Sequence, residues 1–331
     1  MELPSSMSGK LLRRLFYIVV DQLAGHWAEG VRVWGDLPPA NVRGYHELGL
    51  TPNISRLIEG GLWVERPWNR GGCDTRHGMK YLSTGTYDMS ASVGFFEYVK
   101  EKYKENVRVA VFTTTPWAMR GYFYVPDYVV SLPPCYGPYY DDWMVWALFV
   151  RPYLEREENW DMIHFYMPIN DIVSHCPSYQ EHNPHPKSSK HAYLLHLDKL
   201  IGEIVRTLEA LGHWSETVLV LASDHGYHLG CDVARRMGAS SANWCCGHDE
   251  PFDCVVWDFE RDEPTGEYSG GPRRVTFIVS GGGLPEEYRG RVVREAEIID
   301  VAPTIADLIG LPFRCEGTSL LRGLTEGVAK W

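Results

Sequence analysis

Five short apolar runs, spaced along the chain, constrain its fold more than any other feature. They read "LFYIVVD" (15–21), "VRVAVFTT" (107–114), "WDMIHFYMP" (160–168), "TVLVLASD" (217–224) and "RVTFIVS" (274–280). Each is strand-length, and the central ones are nearly continuous in apolar residues, the pattern of strands covered on both faces. Between them lie helical patterns: "TPNISRLIEGG" (51–61), "SASVGFFEYVKEKYKE" (90–105), "DDWMVWALFVRPYLERE" (141–157), "HAYLLHLDKLIGEIVRTLEALG" (191–212) and "DVAPTIADLIG" (300–310). The first and last open on Thr51 and Asp300 and close on glycine, the usual cap chemistry. This alternation predicts an α/β protein with a doubly wound, mainly parallel central sheet and helices on both faces. There is no internal repeat and no clean linker, so one domain is expected over residues 1–331, with residues 1–10 a flexible tail.

Charge and length narrow the function. The formal net charge of the 331 residues is -11, which excludes the electrostatic footprint of a nucleic-acid binder. An acidic protein that handles an anion needs local cations, and metal ions are one source of them. No stretch approaches the roughly 20 apolar residues of a membrane span. At the N-terminus the apolar run "LFYIVV" is shorter than the roughly 7–15 residues of a signal-peptide core. A cytoplasmic protein without membrane contact is therefore expected, as monomer or homo-oligomer. The cysteines at 73, 135, 176, 231, 245, 246, 254 and 315 form no C-x-x-C pair and read mostly as buried thiols.

The ends of the runs carry the chemistry. Asp21 ends the first, Asp171 and His175 follow the third, and Asp224 and His225 end the fourth. Neighbouring side chains of a strand point to opposite faces. Asp224 and His225 can share a site only where the strand stops and turns, which Gly226 permits. Carboxylate oxygen with imidazole nitrogen is a donor set that suits zinc or manganese. In "GGCDTRHGMKYLSTG" (71–85), Thr75 follows a Gly-rich turn and opens a helical stretch. Helix N-termini favour anions. Thr75 there is either an ordinary helix cap or a nucleophile, since a divalent metal activates a hydroxyl. Arg76, His77 and Lys80 stand beside it as candidate phosphate-oxygen donors, Arg76 first among them. The loop with His182, His185 and His191 reads as a polar loop.

Taken in order, these segments resemble the alkaline phosphatase superfamily, in particular its type I phosphodiesterase/nucleotide pyrophosphatase and sulfatase-like branches. "FYIVVDQL" is similar to the family's first strand with its metal aspartate. "TPNISRLIEGGLWVE" is similar to its "TPNLDRLAxEG" helix and following strand, and "TRHGMKYLSTG" has its nucleophile-to-"TG" spacing. "NDIVSH" matches its D-x-x-x-H element, "SDHGYHLG" its most specific signature, and "IIDVAPTIADLIGLP" its closing segment. The resemblance implies a hydrolase of phosphoric esters, a phosphodiesterase or phosphatase, using a metal-activated Thr75 and a phospho-threonine intermediate. It further implies two divalent ions, zinc or else manganese. One would be held by Asp21, Thr75, Asp224 and His225. The other would be held by Asp171, His175 and a later histidine, His248 in "CCGHDEPFD" or else His228. The partner implied is a small phosphate ester.

Three departures keep a second reading open. Sulfatases carry a Cys or Ser that is converted to formylglycine. This chain has Thr75 at that position, Met79 where the motif's arginine would stand, and Cys73 two residues too early. Gln22 after Asp21 resembles sulfatases and phosphonate monoester hydrolases, where that position can reach the metal. The alternative is therefore a sulfatase-like or phosphonate monoester hydrolase with one metal. The third departure is the short run from Gly85 to "SASVGFFEYVKEK", which has no counterpart to the substrate loop of nucleotide pyrophosphatases.

Overall fold

The computed structural model describes residues 11–27, 29–30, 32, 35–114, 126–131, 141–175, 189–226, 255–258, 261, 263–268 and 271–325. Its strands in chain order are β1 Arg14–Val20, β2 Leu62–Trp68, β3 Val109–Thr113, β4 Tyr128–Ser131, β5 Met162–Met167, β6 Thr217–Ala222, β7 Val255–Asp258, β8 Glu263–Tyr268, β9 Phe277–Ser280 and β10 Arg291–Glu297. Eight of them form one sheet in the order β10-β2-β9-β6-β1-β5-β3-β4, and β7 and β8 form a separate hairpin. Every pairing in the large sheet is parallel except those of β9, which runs antiparallel to β2 and β6. The expected α/β class and mainly parallel sheet are what the structure has.

The period of two along β1 builds both faces at once. Leu15, Tyr17 and Val19 enter one core with Met79, Phe95, Phe96 and Ile305. Phe16, Ile18 and Val20 enter the other with Tyr45, Leu57, Trp146 and Leu197. Helices Thr75–Thr84, Phe95–Tyr103 and Val301–Ile309 therefore cover the first face. Pro52–Glu59 and the 22-residue helix Ser189–Ala210 cover the second.

Three elements depart from the sequence pattern. The expected helix over 141–157 is three pieces: Asp142–Val145, a π-helical turn Trp146–Val150, and Arg151–Arg156. Pro152 has no N–H to give to the preceding turn, so the ladder cannot run through it in α register. The run 274–280 forms a continuous strand only over Phe277–Ser280, with Arg274 joined to Trp68 by a single antiparallel bridge. Strand β10 was not legible, because its exposed Arg291, Val292, Arg294 and Glu295 belong to a charged sheet edge rather than a buried run.

The first core also holds a polar side chain. His164 in β5 is fully buried, its ring stacked 5.0 Å from Tyr17 and 5.4 Å from Phe96. Burial pulls its pKa from 6.5 down to about 3. Between those values the unfolded chain takes up a proton that the folded chain refuses. Stability is thus complete above pH 6.5 and falls as the pH falls toward 3. Each such group contributes about 1.4 kcal/mol per pH unit inside the window. His164→Phe is expected to flatten the acid limb of the stability curve by about that slope. Urea unfolding of both proteins across the window checks this, and an unchanged slope refutes it.

Candidate active site

Three turns, after β1, after β6 and before helix Thr75–Thr84, meet the start of helix Ile169–His175 beyond the carboxyl ends of the strands, the place where open α/β sheets bind ligands. The first follows β1. Asp21 is buried, and its Oδ2 accepts a hydrogen bond from the Tyr166 hydroxyl of β5. Gln22 turns the chain at φ 61°, a left-handed conformation uncommon outside glycine. The turn is held from several sides. Asn170 Nδ2 donates to the carbonyls of Asp21 at 3.1 Å and Gln22 at 2.8 Å. The Gln22 amide nitrogen donates to Asp224 Oδ1 at 3.3 Å, and its Nε2 donates to Asp171 Oδ1 at 2.8 Å. Strain of this kind persists where the surroundings over-determine it.

The second turn follows β6. His225 N donates to Asp224 Oδ1 at 2.9 Å, and His225 Nδ1 donates to the Gly226 carbonyl at 3.0 Å. A carbonyl only accepts, so the Nδ1 proton is assigned and Nε2 is turned into the site. His225 Nε2 lies 3.1 Å from Asp21 Oδ1, 3.8 Å from Asp171 Oδ1 and 3.5 Å from Thr75 Oγ1. The approach to Asp21 lacks hydrogen-bond alignment: among the described residues, Asp21 Oδ1 and Asp224 Oδ2 are buried oxygens with no hydrogen-bond partner.

Charge explains these orphaned oxygens. Burial raises the Asp21 carboxyl well above its ordinary range, and Asp171 and Asp224 raise it further. Burial raises Asp224 as well, against the pull of His225. For His225, burial opposes the charged form, yet Asp224, Asp21 and Asp171 together hold it up to about 10. The pocket thus demands a positive charge, either a proton on His225 or a cation among the same atoms. Asp21, Asp171 and His225 each offer a ligand atom, all within 4.8 Å of one another. The donor set fits a divalent metal ion.

The third turn delivers Thr75. The N-cap of helix Thr75–Thr84 is Asp74, whose Oδ1 accepts from His77 N at 3.0 Å. Thr75 is therefore not the cap. It is the first helical residue, buried, with its hydroxyl toward His225 Nε2. The helix can come this close because residue 78 is glycine: a β-carbon there would stand 2.0 Å from the Asp224 carbonyl oxygen. Cys73 turns the other way, its Sγ donating to the Gly71 carbonyl at 3.4 Å.

The remaining candidates divide. Arg76 is exposed on the first helical turn, His77 is tied to Asp74 Oδ2 at 2.7 Å, and Lys80 is buried. His191 meets the Tyr45 hydroxyl at 2.9 Å and is not one of the clustered ligand residues Asp21, Asp171 and His225. The His175 side chain, His182, His185, His228 and His248 lie outside the described residues. Asp171 and His175 share the helix Ile169–His175 at i,i+4 spacing, which places them on one face. Two residues escaped sequence reasoning. Tyr166 read only as part of an apolar strand. Lys190 read as part of a polar loop, yet it is buried, and burial pulls its pKa down to about 7 against the opposing charges of Asp171 and Asp21.

Known proteins share this architecture. The family model described as Sulfatase matches residues 138–311, more than half of the chain. An arylsulfatase of Clostridium perfringens is 28% identical over 151 residues, 44% of this chain and 26% of that protein, so the chain spans about a quarter of that relative. Among solved structures, the phosphonate monoester hydrolase of Agrobacterium radiobacter superposes with a TM-score of 0.60 at 15% identity, covering 96% of this chain and 78% of that one. Murine ectonucleotide pyrophosphatase/phosphodiesterase 5 gives 0.56 at 11% identity, covering 95% and 99%. An alkaline phosphatase superfamily protein of Vibrio parahaemolyticus gives 0.57 at 14% identity, covering 93% and 68%. By its sequence the chain belongs to the sulfatase family, and its fold is that of the alkaline phosphatase superfamily.

Proposed function

We propose that this chain is a metal-dependent hydrolase of phosphoric esters, a phosphodiesterase or phosphatase with Thr75 as nucleophile. The observation that carries the reading is the buried Thr75 hydroxyl, free of any capping role and facing His225 Nε2 at 3.5 Å, while the Cys73 thiol turns away to Gly71. Asp21, Thr75, Asp224 and His225 would hold one divalent ion, zinc or manganese. Asp171, His175 and His248, or His228 in its place, would hold a second. Such ions supply the positive field that lowers the pKa of a hydroxyl and stabilises a transferring phosphoryl group. Thr75 Oγ1 attacks phosphorus in line, the bond to the leaving alcohol breaks, and phospho-threonine forms. Water then cleaves that ester and returns Thr75. Arg76, exposed at the mouth of the helix, binds a non-bridging oxygen.

A second reading is a sulfatase-like or phosphonate monoester hydrolase with one metal. It is favoured by Gln22, whose amide reaches into the cluster at 2.8 Å from Asp171, and by the arylsulfatase relative. Parallel assays on an aryl phosphate, a bis-aryl phosphate, an aryl phosphonate and an aryl sulfate separate the two. Phosphate esters are expected to turn over much faster than the sulfate of the same alcohol. A sulfate rate equal to or above the phosphate rate overturns the first reading.

A further inference from the structure

The 3₁₀ turn Gly271–Arg273 and the residue after it precede β9 and belong to none of the three active-site turns, yet they touch all of them. Three consecutive carbonyls are used. Pro272 O accepts from Gly226 N at 2.6 Å, in the turn of His225. Arg273 O accepts from Asn69 N at 2.7 Å, on the approach to Thr75. Arg274 O accepts from Gly25 N at 3.1 Å, four residues after Asp21. A short 3₁₀ turn leaves its last carbonyls outside its own ladder, and here each meets a different part of the site.

The packing leaves no slack. A β-carbon on Gly226 would stand 2.5 Å from Arg274 O, and one on Gly25 would stand 1.9 Å from Val275 O. The guanidinium of Arg273 adds a fourth tie by donating to the Gly71 carbonyl at 2.9 Å. Gly71 and Gly72 are also held by Asn69, by Tyr81 and, at the Gly71 carbonyl, by the Cys73 thiol at 3.4 Å. Gly71 N donates to Asn69 Oδ1 at 2.9 Å, Asn69 Nδ2 donates to Gly72 O at 2.8 Å, and Gly72 N donates to the Tyr81 hydroxyl at 3.1 Å. The peptide groups just before Thr75 are thus bound on several sides. Of these partners, Arg273 is the one that comes from the segment also bracing His225.

We infer that Gly271–Arg274 is a strut that sets the separation of Thr75 from His225, with Arg273 as the positioning residue for the nucleophile. The inference rests on Thr75 being the nucleophile. Arg273 touches the turn rather than the reacting atoms, so its loss displaces Thr75 without removing any metal donor. Misplacement of a reacting group by about 1 Å costs about 10²-fold in rate.

The test compares Arg273→Ala, Arg273→Lys and Thr75→Ala with the unaltered full-length protein, using p-nitrophenyl phosphate and bis-p-nitrophenyl phosphate. Arg273→Ala is expected to lose about 10²-fold in kcat while KM changes less than about threefold. Its bound metal and Tm are expected to stay near those of the unaltered protein, and added guanidinium ion to restore part of kcat. Arg273→Lys keeps a donor and should fall between the two. Full kcat in Arg273→Ala with an inactive Thr75→Ala overturns the strut and leaves the nucleophile standing. Full activity in Thr75→Ala overturns both. Should Arg273→Ala fail to fold, Arg273→Lys decides: a folded lysine variant with unchanged kcat overturns the strut.

Discussion

Thr75→Ala is expected to lower turnover of aryl phosphate esters by about 10³–10⁶-fold, the scale on which removal of a nucleophile acts. The substitution removes a methyl and a hydroxyl from a buried position whose helix is already capped by Asp74, so the fold should survive with a stability change of about 1 kcal/mol. The matched control is Cys73→Ala. Cys73 is also buried, two residues away, but its thiol points to Gly71 O. It should change kcat little. Steady-state rates of both variants, with circular dichroism to verify folding, decide the matter. An inactive Cys73→Ala beside an active Thr75→Ala would replace the threonine chemistry with that of a modified cysteine. The intact protein should also yield a phosphorylated Thr75 when reaction with substrate is quenched in acid, detectable by peptide mass spectrometry.

Chelation is the second large effect. Asp21, Asp171 and Asp224 converge around His225, and Asp21 Oδ1 and Asp224 Oδ2 are buried without hydrogen bonds among the described residues. Removing the ions should abolish turnover and also lower Tm, because like charges are left facing one another in a dry pocket. A ligand present at about 100 times its dissociation constant stabilises a fold by about 2.7 kcal/mol, so readdition of zinc or manganese should raise Tm as well as activity. Elemental analysis should find close to two ions per chain, and His175→Ala about one fewer. Two-metal centres place their ions roughly 3.5–4 Å apart and stabilise the attacking and leaving oxygens together, so loss of one should lower turnover sharply. One ion in the fully active protein, or a fully active His175→Ala, refutes the two-ion centre in favour of the single-metal reading with Gln22.

Much of the fold is written locally in the chain. Period-two and period-3.6 patterns depend on neighbours close in sequence, so β1, β3, β5, β6 and the long helix over 189–210 are legible in the residues alone. The acids and the histidine at strand ends follow from the same pattern, because a parallel sheet gathers the carboxyl ends of its strands on one edge. Asp21, Asp224 and His225 are therefore local facts with a shared consequence. Thr75 needs the order of the motifs.

Other features depend on contacts between distant segments. Whether Thr75 caps its helix or faces the site is settled by Asp74 taking the cap and by Gly78 letting the helix reach Asp224. Tyr166 becomes a partner of Asp21 because β5 pairs with β1, and Lys190 is buried because its helix packs across the second face. Arg273 is legible in no pattern at all. Its carbonyl meets Asn69 and its guanidinium meets Gly71, while the carbonyls of Pro272 and Arg274 on either side meet Gly226 and Gly25, contacts between segments far apart along the chain. The sequence alone determined which groups could act, since side-chain chemistry and strand period are local. Tertiary structure decided which of them face one another, since that depends on strand order and on how closely backbones approach.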